Sequence, residues 1–204
     1  MHIPSIFKNE DPEAIRSFLK ENSFGILINQ TNGKLWATHI PLEIETREGN
    51  KEVLCGHISK LNPQGEGFVQ NDQILAVFSG AHSYISSSWY DHENVPTWNY
   101  SAVHIYGRVK ILDHEAAIES LKKLVDKYEA SSEKPTRIEE LSEKTMRQAH
   151  GIIAFEIEID EIQATKKMSQ NRDDVNYKNI ITALEKTENP QSIAVAKEMS
   201  KCRK

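Results

Sequence analysis

The stretch FGILINQTNGKLWATHIPLEIE, residues 24–45, decides the architecture. An apolar run ends at Thr31-Asn32-Gly33-Lys34. Asn-Gly between two strand-like runs is a strong hairpin signal, because the favoured two-residue turn needs positive φ at both central positions. The returning run alternates. Trp36, Thr38, Ile40, Leu42 and Ile44 share one face, and the residues between them share the other. Pro41 has no N–H to give to a ladder, so this strand is interrupted, bulged or at an edge near there.

Upstream, NEDPEAIRSFLKENS reads as a helix. Asp11 caps it, Pro12 suits its first position, and Ala14, Ile15, Phe18 and Leu19 form an apolar face. Downstream, REGNK is a turn and EVLCGHI a third strand. LNPQGEGF is a short helix or turn entered through Asn62 and Pro63, and QILAVFSG is a fourth strand. A long loop from Gly80 then leads to a fifth, YSAVHIYGRVKIL, with Val103, Ile105, Val109 and Ile111 on one face. DHEAAIESLKKLVDKYE, capped by Asp113, is an amphipathic helix, and RIEELSEKTMRQAH is helical too. The sixth strand is GIIAFEIEIDEI: Ile153, Phe155, Ile157 and Ile159 face in, Glu156 and Glu158 out. After TKKMSQNR the chain is helical, with a break at Asn189-Pro190. Hairpin-linked strands with helices inserted at intervals predict an α+β, mainly β protein built on an antiparallel barrel. Residues 1–170 are expected to form that domain, with 171–204 as a helical extension packed on it.

Composition removes several functions. A net charge of -5 over 204 residues disfavours a general nucleic-acid binder, which needs clustered Lys and Arg. No apolar run approaches the ~20 residues of a membrane span. Residues 1–14 show no basic-then-apolar leader. Cys55 and Cys202 lie far apart, one in an apolar run and one in a basic tail, which fits a reducing cytoplasm. The eight histidines fall at no tight ligand spacing, so no dedicated metal site is expected. Gly-x-Gly-x-x-Gly, phosphate-loop and Gly-x-Ser-x-Gly signatures are absent.

Three places carry candidate chemistry. In CGHISKLNPQ, Ser59 offers a hydroxyl, Lys60 an ammonium and the helix start its amides, a combination that suits a phosphate. The competing reading is an ordinary capped connection. In ATHIPL, Thr38 and His39 stand beside the break forced by Pro41, where a planar hydrogen-bonding ligand could meet freed backbone groups. His39 as a plain strand residue is the alternative. Third, six of the chain's 15 aromatic residues lie between Tyr84 and Tyr106. Trp89, Tyr90, Trp98 and Tyr100 either close a pocket by stacking or anchor an interface. Both hold if the pocket lies at a dimer seam.

ATHIPL, GHISKLNPQ, VFSGAHSYISSSWY, VPTWNYSAVHIYGRV, GIIAFEIEIDEI and KKMSQNR occur in one order along almost the whole chain. Together they resemble the PaiB family of negative transcriptional regulators, within the FMN-binding split-barrel group. That resemblance implies a six-stranded antiparallel Greek-key split barrel and a cytoplasmic homodimer with flavin sites at its interface. It implies FMN as cofactor, with Thr38 and His39 at the ring or ribityl chain and Ser59 and Lys60 at the phosphate, His57 just before them. Trp98 and Tyr100 would wall the cleft. Lys167, Ser169 and Gln170 loosely echo the C-terminal Arg-x-x-Pro-like segment of related oxidases, which makes Lys167 and Ser169 candidate cofactor contacts. Ala102 stands where those oxidases carry a Gln. The function implied is negative regulation of protease synthesis and sporulation; no helix-turn-helix is visible, which leaves contact with DNA indirect or absent. An FMN-dependent oxidoreductase or flavin reductase is the alternative, and a haem-handling barrel a third reading.

Overall fold

The computed structural model describes residues 1–70 and 73–203. The chain is α+β, with seven strands in one antiparallel sheet and six α-helices among the described residues. Strands β1 (Phe24–Thr31) and β2 (Lys34–Pro41) form the expected hairpin, paired from Phe24↔Pro41 to Thr31↔Lys34. Asn32 (φ 52°) and Gly33 (φ 76°) supply its two left-handed residues.

Pro41 turns the six expected strands into seven. After it, the Leu42 N–H leaves the ladder and donates to the Ser23 carbonyl at 2.8 Å. The Leu42 side chain is fully buried. Strand β3 (Glu43–Thr46) then restarts against β4 (Glu52–Ser59). With β5 (Gln73–Ile85), β6 (Thr97–Ile111) and β7 (Ile152–Lys167), the order is β2-β1-β5-β6-β7-β4-β3. The two ends of that order are separated in the chain by Leu42 alone.

The chain forms two compact units. The first comprises Met1–Phe18, Phe78–His104 and Gln163–Lys204. Its core joins Ile85, Tyr90 and Met168 to Tyr177, Ile180 and Leu184 of α5 (Asp174–Glu185) and to Val195, Ala196 and Met199 of α6 (Pro190–Cys202). Asp173 caps α5 and Asn189 caps α6, as side-chain acceptors for the Asn176 and Gln191 amides. In this unit the expected long loop contracts to residues 86–96, because β5 and β6 run on into the aromatic stretch. Their buried face there carries Ser83, Asn99 and Ser101, so hydropathy shows no alternation to read.

The second unit comprises Leu19–Val77 and Ile105–Ile162. It holds α2 (Gln64–Gln70), α3 (His114–Glu129) and α4 (Glu143–Met146). Helix α1 (Pro12–Glu21) leads into it, capped as expected by Asp11, whose Oδ1 accepts from the Glu13 and Ala14 amides. Asp113 likewise caps α3, accepting from Ala116 N. The helix expected over residues 137–150 breaks into a 3₁₀ turn at Ile138–Glu140, then α4, then a second 3₁₀ stretch at Arg147–Gly151. Ser142 caps α4 and so divides the segment. Strands β4 and β7 pair from Val53↔Glu158 to Ser59↔Ile152. Glu156, expected to be solvated, is only 7% exposed because Arg47 and Lys110 cover it.

Candidate functional site

Five of the predicted site residues lie in the second unit. Ser59 ends β4 in a tight turn. Its carbonyl accepts from Asn62 N at 2.9 Å and its hydroxyl oxygen from Leu61 N at 3.1 Å, which leaves the O–H to donate outward. The Lys60 amide donates to the Gly151 carbonyl at 2.9 Å. Its ammonium is exposed and forms no ion pair among the described residues. The side chain lines a cavity of about 480 Å³. The first amides of α2 are already used. Gln64 N donates to Asn62 Oδ1 at 3.0 Å, Gly65 N to the Asn62 carbonyl at 3.0 Å, and Glu66 N to that of Pro63 at 3.1 Å. What the turn presents is therefore a cation and a hydroxyl, without the amides of a helix start.

Thr38 meets this turn through Asn62, whose Nδ2 donates to Thr38 Oγ1 at 2.9 Å. Thr38 in turn donates to Gln64 Oε1. Gln64 is fully buried. Its Nε2 donates to the Leu27 carbonyl at 3.0 Å, and its own carbonyl accepts from Asn29 Nδ2 at 3.2 Å. This polar knot ties the Ser59–Asn62 turn to β1 and β2. His39 points to the opposite face, as the next residue in a strand must. It is exposed and stacks on the exposed Phe24 ring at 6.2 Å.

His57 lines a separate cavity of about 260 Å³, together with Cys55, Glu45, Lys123 and Leu124. Burial lowers its pKa, favouring the neutral ring. Burial, reinforced by Glu45, pushes the Cys55 thiol up to about 12. Its Sγ accepts from Arg47 Nη2 at 3.0 Å. A thiol held protonated in this way is no nucleophile at neutral pH.

The other four residues lie in the first unit. Trp98 and Tyr100 share one face of β6, opposite the buried Asn99 and Ser101. Trp98 is 53% exposed. Its ring meets Tyr84 edge-on at 6.1 Å and His82 at 6.3 Å. Lys167 Nζ donates to Thr97 Oγ1 at 2.5 Å, and burial, aided by Arg172, lowers its pKa. Ser169 is buried at φ 56°, and its hydroxyl donates to Asn99 Oδ1 at 3.0 Å. Its proton is thus committed inside the unit.

Residues 1–161 match the model of the family described as "Putative FMN-binding domain". Over 200 residues the chain is 40% identical to protease synthase and sporulation protein PAI 2 of Bacillus subtilis (strain 168), covering 98% of this chain and 96% of that protein. The chain belongs to the PaiB family. Its fold is shared by the flavocytochrome Anf3 from Azotobacter vinelandii, at TM-score 0.64 and 18% identity over 87% of this chain and 78% of that one. It is shared too by the FAD and heme binding protein from Mycobacterium smegmatis, at TM-score 0.60 and 16% identity over 78% and 73%.

Two features of this PaiB-family chain escape sequence reasoning. Gln64 and Asn99, both fully buried, are the polar hubs that position the candidate residues. An Asn-Pro-Gln helix start and an Asn between aromatics give no sign of such burial. His114 and His150, remote in sequence, stack with ring centroids 5.1 Å apart. Only the fold brings them together.

Proposed function

We propose that this chain is a dimeric flavin-binding regulator of the PaiB type. In this reading the strand order is that of a Greek-key split barrel. The observation that carries the flavin assignment is the Ser59–Lys60 turn. It offers an ammonium without a partner among the described residues and an outward-facing O–H, and Asn62 joins it to Thr38. That donor set fits a phosphate monoester, since a charged donor and a hydroxyl both satisfy its oxygens. The match to an FMN-binding domain over residues 1–161 supports FMN as the molecule that bears the phosphate. Bound FMN would supply a flat, redox-active ring. The chain's own residues would hold its phosphate at Lys60 and Ser59 and shield its ring on the Thr38 side.

The regulatory part of the reading draws on the name of the Bacillus subtilis relative, protease synthase and sporulation protein PAI 2; negative regulation in the cytoplasm is what the resemblance to the PaiB family adds to it. The test begins with FMN added to purified protein, followed by gel filtration and an absorption spectrum. Flavin bands that co-elute are expected. Lys60→Ala should weaken FMN roughly tenfold to a hundredfold, the usual loss of a charge-assisted contact, and leave riboflavin unchanged. Equal weakening of both flavins, or of neither, rejects the phosphate assignment. For regulation, deleting the gene should raise protease and sporulation transcripts in the host. Unchanged transcripts reject that part.

A further inference from the structure

The cavity that Lys60 lines contains more basic groups than the turn alone provides. At about 480 Å³ it is bounded by the turn after β4, the start of α3 and the 3₁₀ stretch at Arg147–Gly151. Three basic side chains reach it from these three elements: Lys60, His114 and His150. The two imidazole rings lie 9° from parallel at 5.1 Å. The remaining walls are apolar, among them Ile153 and Ala154, apart from a single carboxylate, Asp113. That carboxylate is engaged at the α3 cap, accepting from Ala116 N at 2.9 Å.

Two chemistries use paired histidines. A metal ion needs both lone pairs to converge at about 2.0–2.1 Å. Stacked parallel rings lie in planes that share no such point. Among the described residues, no group of three or more His, Cys, Asp or Glu is placed to hold an ion. An oxyanion makes the opposite demand. It needs N–H donors and positive charge brought to one space without neutralising carboxylates. Imidazoles gain charge as protons bind between pH 5 and 8. Two of them stacked beside a lysine repel one another as they charge, and a bound anion removes that repulsion.

We propose that Lys60, His114 and His150 form one oxyanion site that takes the phosphate of a phosphate monoester. The proposal rests on the flavin reading for one point only, the identity of the molecule bearing that phosphate. His114 and His150 thereby become binding residues, and affinity becomes pH-dependent. The groups facing the site are Lys60 from the β4–α2 turn, Asp113 and His114 from α3, and His150 from the 3₁₀ stretch.

The test is a titration with inorganic phosphate, following the imidazole resonances by NMR at pH 6 and pH 8. His114→Gln and His150→Gln assign the signals. Both imidazoles should shift saturably with one dissociation constant, tighter at pH 6. Each of Lys60→Ala, His114→Gln and His150→Gln should weaken it about tenfold or more. Unsaturable shifts, or a constant that none of the three substitutions alters, overturn the site. FMN and riboflavin, followed by flavin fluorescence, separate the sources. Phosphate that displaces FMN but not riboflavin makes the flavin phosphate the occupant. Phosphate that binds through these three residues without displacing FMN keeps the oxyanion site and overturns Lys60 as the flavin's holder.

Discussion

Glu156 is a residue for which strand alternation gives the correct face and the wrong environment. It does point away from Phe155 and Ile157, yet it is 7% exposed. Burial alone would raise its pKa. Hydrogen bonds from Lys110 and Arg47, both at 3.1 Å, outweigh that and hold it below the ordinary 4.5. Glu45 is likewise lowered, with Lys123 and Arg47 overcoming burial. A carboxyl whose folded pKa is depressed stabilises fully above its unfolded value, and the contribution is lost as pH falls through the folded one. Unfolding free energy should therefore drop below about pH 4.5. His57 adds to the acid side. Its lowered pKa means the unfolded chain takes up a proton first, so its penalty grows as pH falls below 6.5. Glu156→Ala should cost about 2 kcal/mol at pH 7, since it removes two charge-assisted hydrogen bonds made at a largely buried position. Lys8→Ala, which removes an exposed pair with Glu10, should cost under about 0.5 kcal/mol. Urea melts at pH 7 and pH 4 check both. If the Glu156 variant matched the Lys8 variant, the carboxylate would be just another solvated charge.

Helix α3 and the α5–α6 pair differ in what holds them. None of the 16 residues of α3 is buried. It is fastened through charges: Lys123 to Glu45 at 2.9 Å, Lys127 to Glu43 at 2.6 Å, and Tyr128 Oη to Glu43 at 2.9 Å. Helices α5 and α6 instead place Ile180, Leu184, Val195, Ala196 and Met199 at zero exposure. Ion pairs with one exposed partner contribute up to about 1 kcal/mol each, and buried leucines several times that. By hydrogen exchange, α3 amides should open well before those of α5. Lys123→Ala with Lys127→Ala should speed α3 exchange selectively, and 1 M salt should do so in part. Leu184→Ala should cost about 3 kcal/mol globally. Equal protection of α3 and α5 would refute this ranking. Element by element, the sequence is legible where local chemistry decides. The Asn32-Gly33 turn, the caps at Asp11 and Asp113 and the breaks at Pro41 and Asn189-Pro190 all stand where the residues put them. It misleads where tertiary context decides. Ser83, Asn99 and Ser101 hide the continuation of two strands, and Ser142 divides an expected helix. The site follows the same rule. The junction at Ser59 and Lys60, where the phosphate is proposed to sit, is readable as a strand end before a cap, but Gln64, which locks Thr38 to that turn, is not.

For the molecule as a whole, the aromatic stretch returns as the question of assembly. In the first unit Tyr90 is buried in the core, while Trp98 and Tyr84 remain 53% and 46% exposed and in edge contact. Exposed paired aromatics on a rigid strand surface are the usual anchors of an interface. A homodimer seam through Trp98 and Tyr84 follows as the expected arrangement. Light scattering at micromolar concentration should give twice the 23.3 kDa chain mass. Trp98→Glu should shift the population to monomer, because a carboxylate buried in the seam without a partner costs several kcal/mol. Trp98→Phe should retain most of the dimer by keeping a flat apolar ring. The far-ultraviolet circular dichroism of both variants should match that of the parent, since a half-exposed side chain on β6 contributes little to either core. A dimer unaffected by Trp98→Glu moves the seam elsewhere on the surface. A parent protein that is monomeric at these concentrations rejects the dimer itself, and Trp98 then faces solvent or a bound ligand instead of a second copy of the chain.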